Sequence, residues 1–281
     1  MNEHLNSRET MKTVDHMLIF DVDGVITNPQ EKKVTQPEIL DQIIKRLEKG
    51  EPVALNTGRS IEWMRDRILK PLAEKITDKK LLKNFLAVGE KGGTWAEFDE
   101  EGNIVENKDD SISVPANLQD KVRAIIENEF SDSMFFDESK LTMISTEMKD
   151  GHPLEDYREK QKTLTEKLKS LVSEGKLDDK FKVDPTTIAV DVENIHVGKH
   201  FAVRRIIEWV KNKGINPQRY IALGDSFKSD VPMAEEINSQ NLPVEFVYVG
   251  NDKIDISTFP FTIHQTKEKF ENGTVEFLRS L

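Results

Sequence analysis

The chain contains no cysteine, which excludes disulfides, thiolate nucleophiles and cysteine-ligated zinc and suits a reducing compartment. It also lacks any apolar stretch approaching the ~18 residues of a membrane-crossing helix. Met1 to His16 is polar and mixed in charge, without the apolar centre of a secretory leader, so a frayed start and a cytoplasmic protein are expected. Positive charge is in deficit, with 40 Lys and Arg against 51 Asp and Glu, a formal net charge of -11. A field of that sign repels polyanions, so neither nucleic acid nor an anionic membrane is an expected partner, although a local basic pocket can still hold a small phosphorylated metabolite. The sequon Asn272-Gly273-Thr274 has no use without export. Internal repeats and low-complexity tracts are missing, and nothing in the sequence bears on oligomeric state.

At 281 residues, 37% hydrophobic and 32% charged, the chain is long and apolar enough to bury two cores. Met17-Leu18-Ile19-Phe20 is a short continuous apolar run ending in Asp21-Val22-Asp23-Gly24, as a buried parallel strand does before a loop. A helix is expected next. Thr35 and Glu38 have capping-box spacing, and Ile39, Ile43 and Leu47 recur at helical intervals up to Gly50. Pro52 to Leu55 reads as a second strand, Thr57-Gly58-Arg59-Ser60 as the opening of a second helix, and Phe85 to Val88 as a third strand. Strand alternating with helix implies an α/β fold with a doubly wound, Rossmann-like parallel sheet.

After Val88 the rhythm changes. A hairpin about residues 99–103, a helix carrying Leu118 and Val122, a strand within Leu141 to Met148, a long helix carrying Tyr157, Leu164 and Leu168, and a strand near Thr187 to Val192 read as an α+β insert. The alternation then resumes with a helix from about Lys199 to Lys213, a strand at Tyr220 to Leu223, a helix after Asp230 and a strand at Val244 to Val249, with Lys211 to Gln218 as a turn. The expected division is a core of residues 1–94 and 192–281 and an inserted cap of residues 95–191. Trp63, Trp95 and Trp209 are expected to pack in cores.

Ligands of open parallel sheets sit outside the carboxyl ends of the strands, where residues far apart in sequence converge. Asp21 and Asp23 follow the first strand, Thr57 the second, Asp225 and Asp230 the strand ending in Leu223, and Lys199 starts a later helix. Carboxylates gathered in one cleft do not all stay ionised without a cation. Oxygen donors with neither Cys nor a His cluster favour a hard ion such as Mg²⁺.

In their order along the chain, Asp21-Val22-Asp23-Gly24-Val25, Thr57-Gly58-Arg59, Lys199 and Gly224-Asp225-Ser226-Phe227-Lys228-Ser229-Asp230 resemble the four motifs of the haloacid dehalogenase superfamily. The insert resembles, in position and size, the cap of the subclass containing sugar-phosphate phosphatases and phosphomannomutases. The resemblance implies that Asp21 is a nucleophile forming an aspartyl-phosphate, that Asp23 is the general acid and base, that Thr57 bonds a phosphoryl oxygen and that Lys199 pairs with Asp21 and the phosphoryl group. It implies Mg²⁺ held by Asp21, the Asp23 carbonyl and Asp225, with Asp230 acting through water. Gly58, Arg59, Lys91 and Ser229 are further candidates for substrate contact, as are Lys149, His152 and Arg158. Val25 stands where the family usually has Thr, and Ser229 where the subclass usually has Asn. The implied activity is hydrolysis of a small phosphate monoester, a sugar or polyol phosphate, with a phosphohexomutase as the alternative and a non-catalytic phospho-ligand sensor as a third reading.

Overall fold

A computed structural model describes residues 11–281. The strands and helices in chain order are β1 (Lys12–Phe20), α1 (Glu38–Glu48), β2 (Val53–Asn56), α2 (Ile61–Met64), α3 (Lys70–Lys75), β3 (Phe85–Gly89), β4 (Thr94–Phe98), β5 (Ile104–Lys108), α4 (Ala116–Ile125), β6 (Met134–Phe136), β7 (Ile144–Met148), α5 (Leu154–Glu174), β8 (Phe181–Pro185), β9 (Ala189–Asn194), α6 (Lys199–Asn212), β10 (Ile215–Gly224), α7 (Phe227–Ser239), β11 (Val244–Tyr248), β12 (Thr262–Gln265) and α8 (Phe270–Ser280). A π-helical turn, Arg65–Leu69, joins α2 to α3. No helix among the described residues is long and apolar enough to cross a membrane.

Eight strands form one sheet in the order β12-β11-β10-β1-β2-β3-β4-β5. The six from β12 to β3 are parallel, and β4 and β5 close one edge antiparallel. The apolar run in β1 is divided by strand periodicity between the two faces. Leu18 and Phe20 pack with α1, α2 and α8 through Ile39, Ile43, Met64 and Leu278, whereas Met17 and Ile19 pack with α6 and α7 through Val203, Ile206, Ala234 and Ile237. Helices therefore cover both faces, as a doubly wound sheet requires.

A second, antiparallel sheet of order β6-β7-β9-β8 carries α4 and α5 on one face. It has its own core, in which Ile144, Val190 and Val192 meet Val122, Tyr157, Leu164 and Leu168. Neighbours along β9 point the other way.

Several elements depart from the sequence-based expectations. The strand expected to start at Met17 starts at Lys12, and Ile215 to Gln218, expected within a turn, belongs to the strand that pairs with it in parallel register. These two polar stretches have no apolar run to mark them; among the described residues each finds its ladder partners in the other. The remainder of the expected frayed start, Met1 to Thr10, lies outside the described residues. The hairpin β4-β5, expected to open the insert, is hydrogen-bonded to β3 and so extends the large sheet. Thr35 does not cap α1, whose first turn has no side-chain cap; its hydroxyl donates to Glu271 at 2.9 Å and fastens the chain before α1 to α8. Of the tryptophans only Trp209 is buried, with its indole N–H donating to Glu97 at 2.8 Å, while Trp63 and Trp95 lie half-buried beneath arginines.

Leu18 is fully buried in the middle of the large sheet, so Leu18→Ala is expected to destabilise the chain by roughly 2–5 kcal/mol. Urea unfolding checks this; a change below about 1 kcal/mol would contradict a close-packed central strand.

Candidate active site

Strands β1 and β10 are neighbours at the point where strand order reverses, since the chain proceeds from β1 to β2 and β3 on one side and from β10 to β11 and β12 on the other. A crevice opens outside the carboxyl ends of such a pair. Asp21 continues β1 by one residue, its N–H donating to the Leu223 carbonyl at 2.9 Å. The chain then turns tightly, with the Val22 carbonyl accepting from the N–H groups of Ile26 at 2.9 Å and Thr27 at 3.0 Å. Gly24 has φ +75°, and a Cβ there would lie 2.2 Å from Asp225 Oδ2. Only glycine lets this turn lie against the end of β10. Val25, which replaces the Thr common in the resembling motif, is fully buried in the apolar cluster beneath the turn.

Asp21, Asp225 and Asp230 each offer an oxygen within 4.8 Å of the others. Asp21 and Asp230 are 5% and 0% exposed, so water hardly screens them. Lys199 Nζ lies 2.7 Å from Asp21 Oδ1 and also bonds Asp230 Oδ1. Burial, then repulsion from Asp230, Asp23 and Asp225, pushes Asp21 well above the usual carboxylate range against the opposing pull of Lys199. Burial and Asp230 push Asp225 up to about 6. For Lys199 burial acts to lower the pKa, but Asp21 and Asp230 outweigh it and keep the ammonium charged.

One ammonium thus faces three carboxylates, and the charge is unbalanced. A divalent cation at the Asp21 and Asp225 carboxylates would balance it, and the all-oxygen donor set fits Mg²⁺. Asp230 is already committed through both oxygens, one to Lys199 and to the Ser229 hydroxyl at 3.0 Å, the other to the Ser226 N–H at 2.9 Å. Helix α7, expected to begin after Asp230, begins at Phe227, and Asp230 reaches back from its first turn to cap Ser226. Ser229 is directed to Asp230 rather than to the cleft.

Thr57, at the end of β2, is buried; its N–H donates to the Val88 carbonyl at 3.1 Å and its Oγ1 accepts from the Arg59 N–H at 3.1 Å. Its hydroxyl proton is left free to donate. Arg59 forks onto Asp23, Nε to Oδ2 at 3.0 Å and Nη2 to Oδ1 at 3.1 Å, and lies over the Trp63 ring. Ser60 starts α2, accepting from the Trp63 N–H at 3.1 Å. Asn56 donates to the Lys199 carbonyl at 2.9 Å, which ties the start of α6 to the end of β2.

The face of the second sheet opposite α4 and α5 looks onto this crevice. Residues alternate along its strands, so that while Val190 and Val192 enter the core of that sheet, Asp191 and Glu193 with their neighbours Ser145, Glu147 and Asp184 face outward. Lys91 Nζ lies 2.6 Å from Glu193, 3.4 Å from Asp191 and 3.7 Å from Asp184. Its residue is left-handed, φ 55°, in the turn after β3. Lys140 donates to the Gly58 carbonyl at 2.6 Å, and Glu90 accepts from the N–H groups of Leu141 and Thr142 at 3.0 and 2.8 Å. Between the sheets lies a cleft of about 220 Å³ whose lining includes Asp23, Thr57, Gly58, Arg59, Lys91 and Lys140.

Of the sequence candidates, the structure gathers Asp21, Asp225, Asp230 and Lys199 at the strand ends, with Asp23, Thr57, Gly58 and Arg59 beside them. Lys91 lines the cleft as a partner of the second sheet's acids; Lys149, His152 and Arg158 do not line it. Sequence reasoning missed Lys140, Glu147 and Asp191. The strict alternation of Ala189-Val190-Asp191-Val192-Glu193 carried the signal for Asp191 and Glu193, since acids at every second position share one face. Lys140 stands in an irregular loop and had none.

Because the folded protein holds the Asp225 proton up to about 6, against an ordinary 3.8, the folded state binds more protons in that interval. The contribution of this group to stability therefore falls as pH rises from about 4 through about 6. Metal-free Asp225→Asn is expected to be more stable than the parent at pH 7, by on the order of 1–3 kcal/mol, with the advantage gone below pH ~4. Thermal melts in chelator across that range check it; no gain at pH 7 would contradict the crowding.

No protein-family model and no curated protein matches the chain. Solved structures do. Trehalose-6-phosphate phosphatase from Aspergillus fumigatus superposes with a TM-score of 0.54 at 16% identity, over 95% of this chain and 93% of that one. A Thermoplasma acidophilum protein gives 0.59 at 17% identity, over 95% and 98%. The IMP-bound IMP-nucleotidase of Plasmodium falciparum gives 0.56 at 14% identity, over 96% and 69%. What is shared at such identities is the architecture, and it is the haloacid dehalogenase fold that the four ordered motifs lead one to expect.

Proposed function

We propose that this chain is a magnesium-dependent phosphatase that hydrolyses a small phosphate monoester, with Asp21 as nucleophile. The observation that carries the reading is the meeting of Asp21, Asp225, Asp230 and Lys199 at the β1/β10 crevice, drawn from three distant parts of the sequence. A pure phosphate binder has no use for a buried anion at its centre. A nucleophile does need one, together with cations that offset its repulsion of phosphate, which is about 4 kcal/mol at ~4 Å in a protein-like dielectric.

In this reading Asp21 attacks phosphorus in line and forms an aspartyl-phosphate, dividing one displacement into two. Lys199, 2.7 Å from the attacking carboxylate, neutralises part of the charge and orients it. Asp230 holds Lys199 in place. The Thr57 hydroxyl donates to a phosphoryl oxygen. Asp23 protonates the departing oxygen and then takes a proton from the hydrolytic water; both its oxygens accept from Arg59 here, so that fork must open for the transfer. Asp21, the Asp23 carbonyl and Asp225 would hold Mg²⁺, which when bound supplies charge neutralisation at the transferring phosphoryl group.

The second sheet with its two helices serves as the cap over the cleft, covering most of the interval 95–191 expected from sequence. Its contacts through Lys91, Lys140 and Glu90 hold it against the core beside the cleft. The substrate class is a sugar or polyol phosphate, by the resemblance of the motifs and insert. Hydrolysis of a phosphate monoester, the coarser reading, is in keeping with the phosphatase and nucleotidase names of two of the superposing proteins.

Asp21→Asn is expected to abolish phosphate release from an aryl phosphate with Mg²⁺ present, by at least ~10³-fold, while the circular dichroism spectrum persists. Unchanged turnover would exclude Asp21 as nucleophile. Chelation is expected to stop wild-type turnover and added Mg²⁺ to restore it. Asp23→Asn should slow turnover by roughly 10²–10⁴-fold yet leave Mg²⁺ affinity within a few-fold, measured by calorimetry; parallel loss of both would place its carboxylate on the metal. Phosphate release over a panel of phosphorylated metabolites separates hydrolysis from mutase action, in which isomers interconvert without phosphate.

A further inference from the structure

Four acids stand on the cleft-facing side of the cap sheet: Glu147, Asp184, Asp191 and Glu193. Three of them surround Lys91. The Glu147 carboxylate makes no hydrogen bond or ion pair with any described residue, although it is half-buried and feels the charges of Arg59 and Lys140. Those two are engaged elsewhere, Arg59 with Asp23 and Lys140 with the Gly58 carbonyl. A half-buried carboxylate that faces the cleft without a protein donor is free to accept from a bound ligand.

Its position says what that is. Glu147 lines both the cleft beside Asp23 and an adjoining chamber of about 440 Å³, bounded by Trp63, Phe135, Met148 and Ile188 along with Lys32 and Arg67. The cleft alone, about 220 Å³, is smaller than the ~300–1,000 Å³ typical of ligand pockets. A leaving group that starts at the phosphoryl site and outgrows one sugar ring must pass Glu147 into the chamber. Carboxylates accept from hydroxyl groups, and apolar side chains pack against the C–H faces of a sugar ring.

We infer that Glu147 is a specificity residue that accepts hydrogen bonds from the hydroxyls of a polyhydroxylated leaving group larger than one sugar ring, with the adjoining chamber as its second subsite. The inference rests on the phosphatase reading above and names the substrate class of that same site.

The test compares kcat/KM for a disaccharide phosphate, glycerol phosphate and p-nitrophenyl phosphate in the wild type, Glu147→Gln and Glu147→Ala, with Mg²⁺ present. Wild type is expected to prefer the disaccharide ester over both others. Glu147→Ala should lower the ratio of disaccharide to aryl ester by roughly 10- to 100-fold, the loss of hydrogen bonds to a charged acceptor, and Glu147→Gln, which keeps an acceptor, by less. An unchanged ratio, an equal fall for both esters, or a wild type that favours glycerol phosphate would overturn the inference and leave the phosphatase reading standing. Absence of phosphate release from every ester would overturn both.

Discussion

The site depends on one shared cation, the Lys199 ammonium held between Asp21 and Asp230. Without it three carboxylates at the ends of β1 and β10 would repel one another in a place that water barely reaches, and the strand ends would be forced apart or their acids protonated. With it Asp21 is oriented but not neutralised. The raised proton affinities of Asp21 and Asp225 show that the balance is incomplete, and a further positive charge is what the arrangement favours. Stability and chemistry are thus set against each other at one point, and a divalent ion bound there would relieve the conflict.

The rest of the fold serves to hold this junction. The parallel ladder from Lys12 to Phe20 against Ile215 to Leu223 fixes Asp21 beside Asp225 in register, and the left-handed Gly24 lets the turn after Asp21 close onto Asp225. Asn56 anchors the start of α6, so Lys199 arrives at the crevice from a helix whose apolar face is buried on the same sheet. On the opposite wall the second sheet and its loops contribute polar contacts, Lys140 on Gly58, Thr142 on Glu90 and three acids on Lys91.

Much of this was legible in the residues. The apolar runs ending in Asp21 and Leu223 marked buried strands, and the alternation with helices implied a parallel sheet whose strand ends would meet. What was not legible lacked an apolar pattern: the polar halves of β1 and β10 show themselves only as a pair, and the short strands β6, β8 and β12 are too brief for periodicity to speak. The capping expected of Thr35 failed because Glu271, 236 residues away, offered its hydroxyl a better partner. Asp230 illustrates the reverse: one side chain both pairs with Lys199 and accepts from the Ser226 N–H at the start of α7. The fork between Arg59 and Asp23 and the isolation of Glu147 are products of two sheets facing each other, which no local pattern encodes.

The central claim is that Asp21 carries the phosphoryl group covalently. Wild-type protein mixed with substrate and Mg²⁺, quenched in acid during turnover, reduced with borohydride and digested, should yield the Asp21 peptide with homoserine in place of aspartate, since borohydride reduces an acyl phosphate to the alcohol. Reduction at another carboxylate, or at none while phosphate is being released, would contradict the account.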